Sequence, residues 1–182
     1  MARKERITKQ MILDAAFTMT KAEGLCSVTA RRLADHANCS TQPIFRIYRG
    51  MEELYNDLYE MAIVYFSDYY TNYTATDDTP FVNLGMAYIK FAEIEPQLFK
   101  LLFLEPKRNN RSLYELLNGS AGALMKEINK AKQDGATNPS EVFMKMWIFI
   151  HGAACMVITG DYDLSQEQTL QLLKDSYRAY MG

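Results

Sequence analysis

The chain has 182 residues, 48% hydrophobic and 23% charged, with a net charge of −2. That is ordinary globular composition with enough apolar material for a sizeable core, and it argues against a disordered or fibrous chain. No uninterrupted run of some 18 apolar residues occurs, so no membrane span is expected, and the basic start MARKERITKQ lacks the apolar stretch of a signal peptide.

In chain order, helical periodicity dominates. In ITKQMILDAAFTMTKAEG, Ile12, Ala15, Ala16 and Met19 share one face, and Gly24 supplies a stop. A short helix is expected from Ala30 to Ala37, with Thr29 as N-cap and Leu33, Ala34 and Ala37 inward. A second short helix follows from Thr41 to about Tyr48, with Ser40 as N-cap and Pro43 tolerated in the first turn. Asn38 suits the left-handed position of the turn between them, and Cys39 is small enough to fill the gap between the helices.

A fourth helix starts near Met51, with Glu52 and Glu53 favoured by its dipole and a stripe of Leu54, Leu58, Met61, Tyr65 and Tyr69. Thr79-Pro80 reads as N-cap and first residue of a fifth, which runs to Glu95. A sixth covers QLFKLLFLE. A seventh spans Ser112 to Gln133 with weak points at Gly119 and Gly122. Pro139 opens an eighth, through about Thr159, and Ser165 with Gln168 has capping-box spacing for a ninth. No strand alternation, internal repeat or low-complexity segment is present. The expected fold is all-α, with about nine helices.

Charge is unevenly placed. Residues 1–50 carry nine Lys/Arg against four Asp/Glu, a balance of +5, and the remainder carries −7. Phosphate backbones attract the first part and are repelled by the second. Two short helices joined by a three-residue turn form a helix-turn-helix, whose second helix can enter a DNA major groove. Thr41, Gln42 and Arg46 would point outward to meet base edges or phosphates. Thr29 and Ser40 cap first and can also meet phosphate. Arg31 and Arg49 are surface cations that could contact DNA, Tyr48 is a core residue whose hydroxyl could reach a phosphate from the edge, and Arg3 and Lys4 belong to a basic arm that could lie along the backbone or in a minor groove.

Residues 7–54 resemble the DNA-binding domain of the tetracycline-repressor (TetR) family of bacterial transcriptional regulators. MILDAAFTMTKAEG, TARRLADHANCS and IFRIYRGMEEL carry the resemblance, through the Ala-Ala pair, the Gly, the small-residue turn and the final Glu-x-Leu at matching distances. This chain has Asn38 where the family usually has Gly, Phe45 where it has Tyr, and Met51 where it has Lys. The Tyr and Lys typically touch phosphate, so two such contacts are missing; Arg46, Arg49 and the basic arm could compensate. The resemblance implies a helix-turn-helix domain over 1–49 and a helical effector-binding and dimerisation domain over 50–182. It implies a homodimer paired through the last two helices, a palindromic double-stranded DNA operator, transcriptional regulation with repression the expected mode and activation left open, and room for a small apolar or aromatic effector that could release the DNA. The cytoplasm of a bacterium is the expected setting.

Eleven Met and twelve Tyr are above average usage, and most must serve core or dimer surface. In MWIFIHGAACM, Met144, Trp147, His151 and Cys155 are expected on one face. The Trp-x-x-x-His-Gly pattern is similar to a C-terminal subtype within the family. With Tyr65, Ile89 and Phe103 these residues make the candidate pocket lining, although a hydrogen-bonded core role for His151 is the stronger reading. Gly152 would let another helix approach closely. No cofactor is expected. A metal site is not expected either: the two His are far apart and the three Cys are scattered. The G-x-S-x-G, phosphate-loop, H-E-x-x-H and Rossmann patterns are all missing, so an enzyme is not expected. The rival reading is a helical interaction protein of this fold that has lost DNA binding.

Overall fold

A computed structural model describes residues 7–105, 112–119 and 122–181, and the basic-arm candidates Arg3 and Lys4 lie outside them. The described residues form ten α-helices, and no strand occurs among them: α1 (Lys9–Glu23), α2 (Ala30–His36), α3 (Thr41–Ile47), α4 (Met51–Thr71), α5 (Val82–Ile94), α6 (Pro96–Phe99), α7 (Leu113–Asn118), α8 (Ala123–Gln133), α9 (Pro139–Thr159) and α10 (Gln166–Met181). The chain groups into two compact units, Met1–Tyr65 with Gln97–Asn110, and Phe66–Pro96 with Arg111–Gly182. The division at 49/50 concerns which part meets DNA and is taken up as a proposal below.

In the first unit, Thr8 caps α1 by accepting from the Met11 amide at 3.2 Å, and Gly24, at φ 87°, ends it. Ile12, Ala16, Phe17, Met19 and Thr20 are buried; Ala15 is only half-buried. The stripe of α4 is Leu54, Leu58, Ala62 and Phe66, an i+4 series, and it leaves Met61, Tyr65 and Tyr69 half-buried on its flank. The Tyr55 hydroxyl donates to the Val28 carbonyl at 2.7 Å, tying α4 to the segment before α2. Past α6 the backbone widens into one π-helical stretch, Lys100–Leu104.

In the second unit, α5 is the central rod: every residue from Val82 to Ile89 is buried, and α9 and α10 both pack on it. Gly85 makes the approach possible, because a Cβ there would stand 3.0 Å from Ile150 and 3.1 Å from Leu173. The helix starts two residues later than Thr79-Pro80 led us to expect. Phe81 takes a left-handed conformation at φ 65°, and its amide donates to the Glu127 carboxylate at 2.6 Å. Ahead of it, the Asn83 side chain accepts from the Thr76 amide at 3.0 Å and donates to the Asp77 carbonyl. A side chain within the helix thus orders the segment that precedes it.

The expected seventh helix divides at its two glycines, both at positive φ, into α7 and α8. Ser112 and Glu115 form a capping box that opens α7. Asn138 and Pro139 open α9, and Ser165 exchanges hydrogen bonds with Gln168 at 2.8 and 3.2 Å to open α10. By length and a mean hydropathy of 1.7, α9 could cross a bilayer, although no uninterrupted apolar run announces it; here it is the core helix of its unit.

Asp77 joins α10 to the segment before α5. Its carboxylate pairs with Lys174 at 2.6 Å, and that hydrogen bond, followed by those from the Thr79 side chain and amide, holds its pKa down at about 2. The folded-state pKa lies below the unfolded value, so this contribution is present above about pH 4 and fades as pH falls toward 2. Asp77→Asn is expected to cost about 1 kcal/mol at pH 7, after discounting for solvent screening. It should also flatten the stability profile between pH 4 and 2, as measured by urea unfolding across that range.

Candidate nucleic-acid interface and effector cleft

Helices α2 and α3 pack together, and the turn between them is a Schellman closure. The Cys39 amide donates to Ala34 at 2.9 Å and the Asn38 amide to Asp35 at 3.2 Å, with Asn38 left-handed at φ 50°. The ends of α8 and α9 close the same way with Gly135 and Gly160 at the left-handed position, so Asn38 does the work of a glycine. Thr29 caps α2 by accepting from the Arg32 amide at 3.3 Å. Ser40 stands at the N-cap of α3 with no side-chain capping bond, contrary to expectation. Its hydroxyl is exposed, in front of α3.

Burial fixes the orientation of α3. Ile44 is fully buried and Tyr48, just beyond the helix, is 1% exposed. The opposite face therefore shows Thr41, Gln42, Phe45 and Arg46, with Arg49 following, all exposed. Arg31 is also exposed, whereas Arg32 is held by both oxygens of Glu23 at 2.8 Å. The Tyr48 hydroxyl is enclosed, and burial first, then the charge of Asp57, pushes its pKa upward. An enclosed hydroxyl is badly placed for the phosphate contact read from the sequence, so Tyr48 acts here as packing. Lys9, 2.6 Å from Asp57 and 5.3 Å above the Tyr48 ring, completes this corner; its pKa is raised, first by the hydrogen bond to Asp57.

The pocket candidates are divided between the two units. Tyr65 and Phe103 belong to the first unit: Lys21 donates to the Tyr65 hydroxyl at 2.9 Å, and Phe103 packs on Phe99 with ring centres 5.2 Å apart. On α9, Met144 is 42% exposed, while Trp147, three residues on along the same face, is 6% exposed. Trp147 stacks on His151 at 5.7 Å and meets Tyr88 edge-on at 4.7 Å. His151 lies 2.9 Å by Nδ1 from the Tyr88 hydroxyl and 3.6 Å by Nε2 from the Cys155 thiol. Burial pushes the Cys155 thiol pKa upward. This is a satisfied aromatic and imidazole cluster, with both ring nitrogens engaged.

Open volume lies elsewhere in the second unit, in a cleft of about 540 Å³ between the outer side of α5, the end of α9 and the start of α10. Met86, Ile89, Val157 and Leu164 give it apolar walls, and Tyr73, Lys90 and Tyr162 add polar groups. Ile89 is the one sequence candidate that lines it. Burial raises the pKa of Tyr73, with Lys90 pulling the other way. Tyr162 and Leu164 come from GDYDLSQEQ, whose loop character gave no hint of a cavity wall. Among the described residues no group of His, Cys, Asp and Glu is placed to hold a metal.

Residues 81–179 match the family model for the tetracyclin repressor-like, C-terminal domain. No curated protein sequence matches the chain. Among solved structures, a TetR-family protein from Vibrio parahaemolyticus is similar, with a TM-score of 0.64 at 16% identity; the alignment covers 94% of this chain and 97% of that one.

The turn supplies a test of its own. Asn38→Val places a branched side chain in the left-handed region and should lower stability by about 1–2 kcal/mol. Asn38→Gly should leave stability equal or higher. Urea unfolding of the three proteins checks this, and equal losses in both variants would count against the turn as described.

Proposed function

Because this chain belongs to the tetracycline-repressor-like (TetR) family of transcriptional regulators, we propose that it binds a palindromic operator as a homodimer and represses transcription. The DNA-binding part is 1–49, and the remainder pairs the chains and takes an effector. The observation that carries the reading is the outward face of α3, where Thr41, Gln42, Arg46 and Arg49 stand exposed while Ile44 and Tyr48 are buried behind them. Two such helices related by a two-fold axis would enter successive major grooves about 34–36 Å apart. Arg31, Ser40 and Thr29 flank α3, and Arg3 and Lys4 extend the cationic contribution.

For the dimer, α9 offers a row of i+4 positions, Met144, Ile148, Gly152 and Met156, all exposed, with Ile148 at 66%. Nothing stands within 4 Å of a Cβ built on Gly152, so a partner helix can come close there. Apolar side chains in a row on an exposed helix face are the chemistry of a buried partner surface. The effector reading attaches to the cleft on α5, whose apolar walls suit a small aromatic or apolar molecule; within its lining Lys90 pairs with Glu93 at 2.9 Å. Helix α4 has residues in both units, which gives an effector a continuous element through which to alter the half-site spacing; such coupling is typically worth about 1–3 kcal/mol. A DNA-binding regulator of this family works in the bacterial cytoplasm.

The second reading, an interaction protein that has lost DNA binding, draws on Phe45 and Met51 at positions where the family usually places Tyr and Lys. Footprinting on the DNA flanking the protein's own coding region, with and without candidate effectors, separates the two. With a footprint in hand, Gln42→Ala and Arg46→Ala should each weaken the specific site by about 1–3 kcal/mol. Arg49→Ala should weaken all sequences alike and reduce the salt slope by about one. Full retention of affinity in all three variants would refute the α3 interface. For the dimer, Ile148→Glu should yield monomers in sedimentation with helical content unchanged; an intact dimer would rule out the α9 face.

A further inference from the structure

Phe45 is 52% exposed, in the middle of the polar face of α3. It lies one helical turn from Thr41, with Gln42 at i−3 and Arg46 beside it, and Arg49 follows just past the end of the helix, all exposed. A single exposed apolar side chain is ordinary in itself. The position gives this one meaning, because it is surrounded by the groups proposed to meet DNA and cannot avoid the surface they meet. A phenyl ring has no hydrogen-bond donor or acceptor to offer a phosphate. In a major groove the base edges present donors and acceptors, and the apolar group they carry is the C5-methyl of thymine.

Resting on the DNA-binding reading above, we propose that Phe45 is a specificity-determining residue that packs on the C5-methyl of a thymine in each half-site. The hydroxyl absent at this position is a phosphate contact given up, and the bare ring replaces it with a base preference. Gln42 and Arg46 both lie on one side of the row formed by Thr41 and Phe45, where they are placed to hydrogen-bond neighbouring base edges, adenine for Gln and guanine for Arg. The expected half-site therefore contains a required thymine with the positions sensitive to Gln42 and Arg46 to one side of it.

The test begins with duplexes selected by the full-length protein from a random library. Affinity is then measured for the selected site and for copies in which symmetry-related thymines are replaced, pair by pair, by deoxyuridine, which removes the methyl and leaves the protein untouched. Burying one methyl is worth roughly fourfold, so one pair should cost the wild-type protein about tenfold or somewhat more. Phe45→Ala should lose a comparable factor on the thymine site and show almost no further loss on the deoxyuridine site. The ring is half-exposed and the adjacent Ile44 carries the packing, so this variant keeps the fold, which circular dichroism verifies. The proposal is overturned if no thymine pair matters, or if the deoxyuridine penalty persists in Phe45→Ala. It is equally overturned if Phe45→Ala weakens both sites alike, as a ring wedged against sugar or between base steps would require. If no duplex is selected at all, the DNA-binding reading falls and this inference with it.

Discussion

Burial of Ile44 and Tyr48 is the constraint on which the first unit's outer chemistry depends. Once those two side chains are taken out of water, a seven-residue helix has no rotational freedom left, and Thr41, Gln42, Phe45 and Arg46 must face away. The turn before α3 enforces the same outcome by backbone geometry. Its two reverse hydrogen bonds exist only with Asn38 in the left-handed region, so side-chain packing and backbone closure agree on one orientation. Lys9 and Asp57 sit at the Tyr48 ring on the inner side, where charge serves anchoring.

The second unit is organised by polar contacts that the hydrophobic pattern hides. Helix α5 buries eight consecutive residues, which leaves no solvated face to set its register. Register comes instead from its ends: Asn83 gathers the chain before it, Asp77 reaches Lys174, and Glu127 receives the Phe81 amide. At the far side, Tyr88 lies against both Trp147 and His151, so the aromatic cluster on α9 locks α5 in place. The cleft opens beyond that lock, on the side of α5 away from the stacked rings.

Much of this was legible in the sequence, for identifiable reasons. Helix ends written in local chemistry were readable: Thr29, Gly24, Pro139 and the Ser165–Gln168 pair each act within four residues. So was the outward set on α3, which follows from the period once Ile44 is placed inside. The misplaced start of α5 has a different cause, because the group that receives the Phe81 amide is 46 residues away and no local rule refers to it. Met144 shares a narrow arc of α9, about 80° at 100° per residue, with Trp147, His151 and Cys155, so its exposure reflects which neighbours pack along that face and not the period. The cleft was missed because its lining joins α5 to a loop and to the ends of two later helices. No periodicity brings such residues together.

The Glu127 bond also bears on the order in which the chain acquires its shape. On a ribosome, residues 82–94 emerge well before Glu127, and before Ile150 and Leu173, the side chains nearest the gap at Gly85. Until then a segment with eight consecutive residues destined for burial has neither its N-terminal acceptor nor its packing partners. Local contacts such as the α2–α3 turn can form early, whereas the α5 core must wait for nearly the whole polypeptide. Nascent chains truncated before α9 would therefore carry a finished N-terminal end joined to a sticky, uncovered rod, the kind of species that chaperones hold.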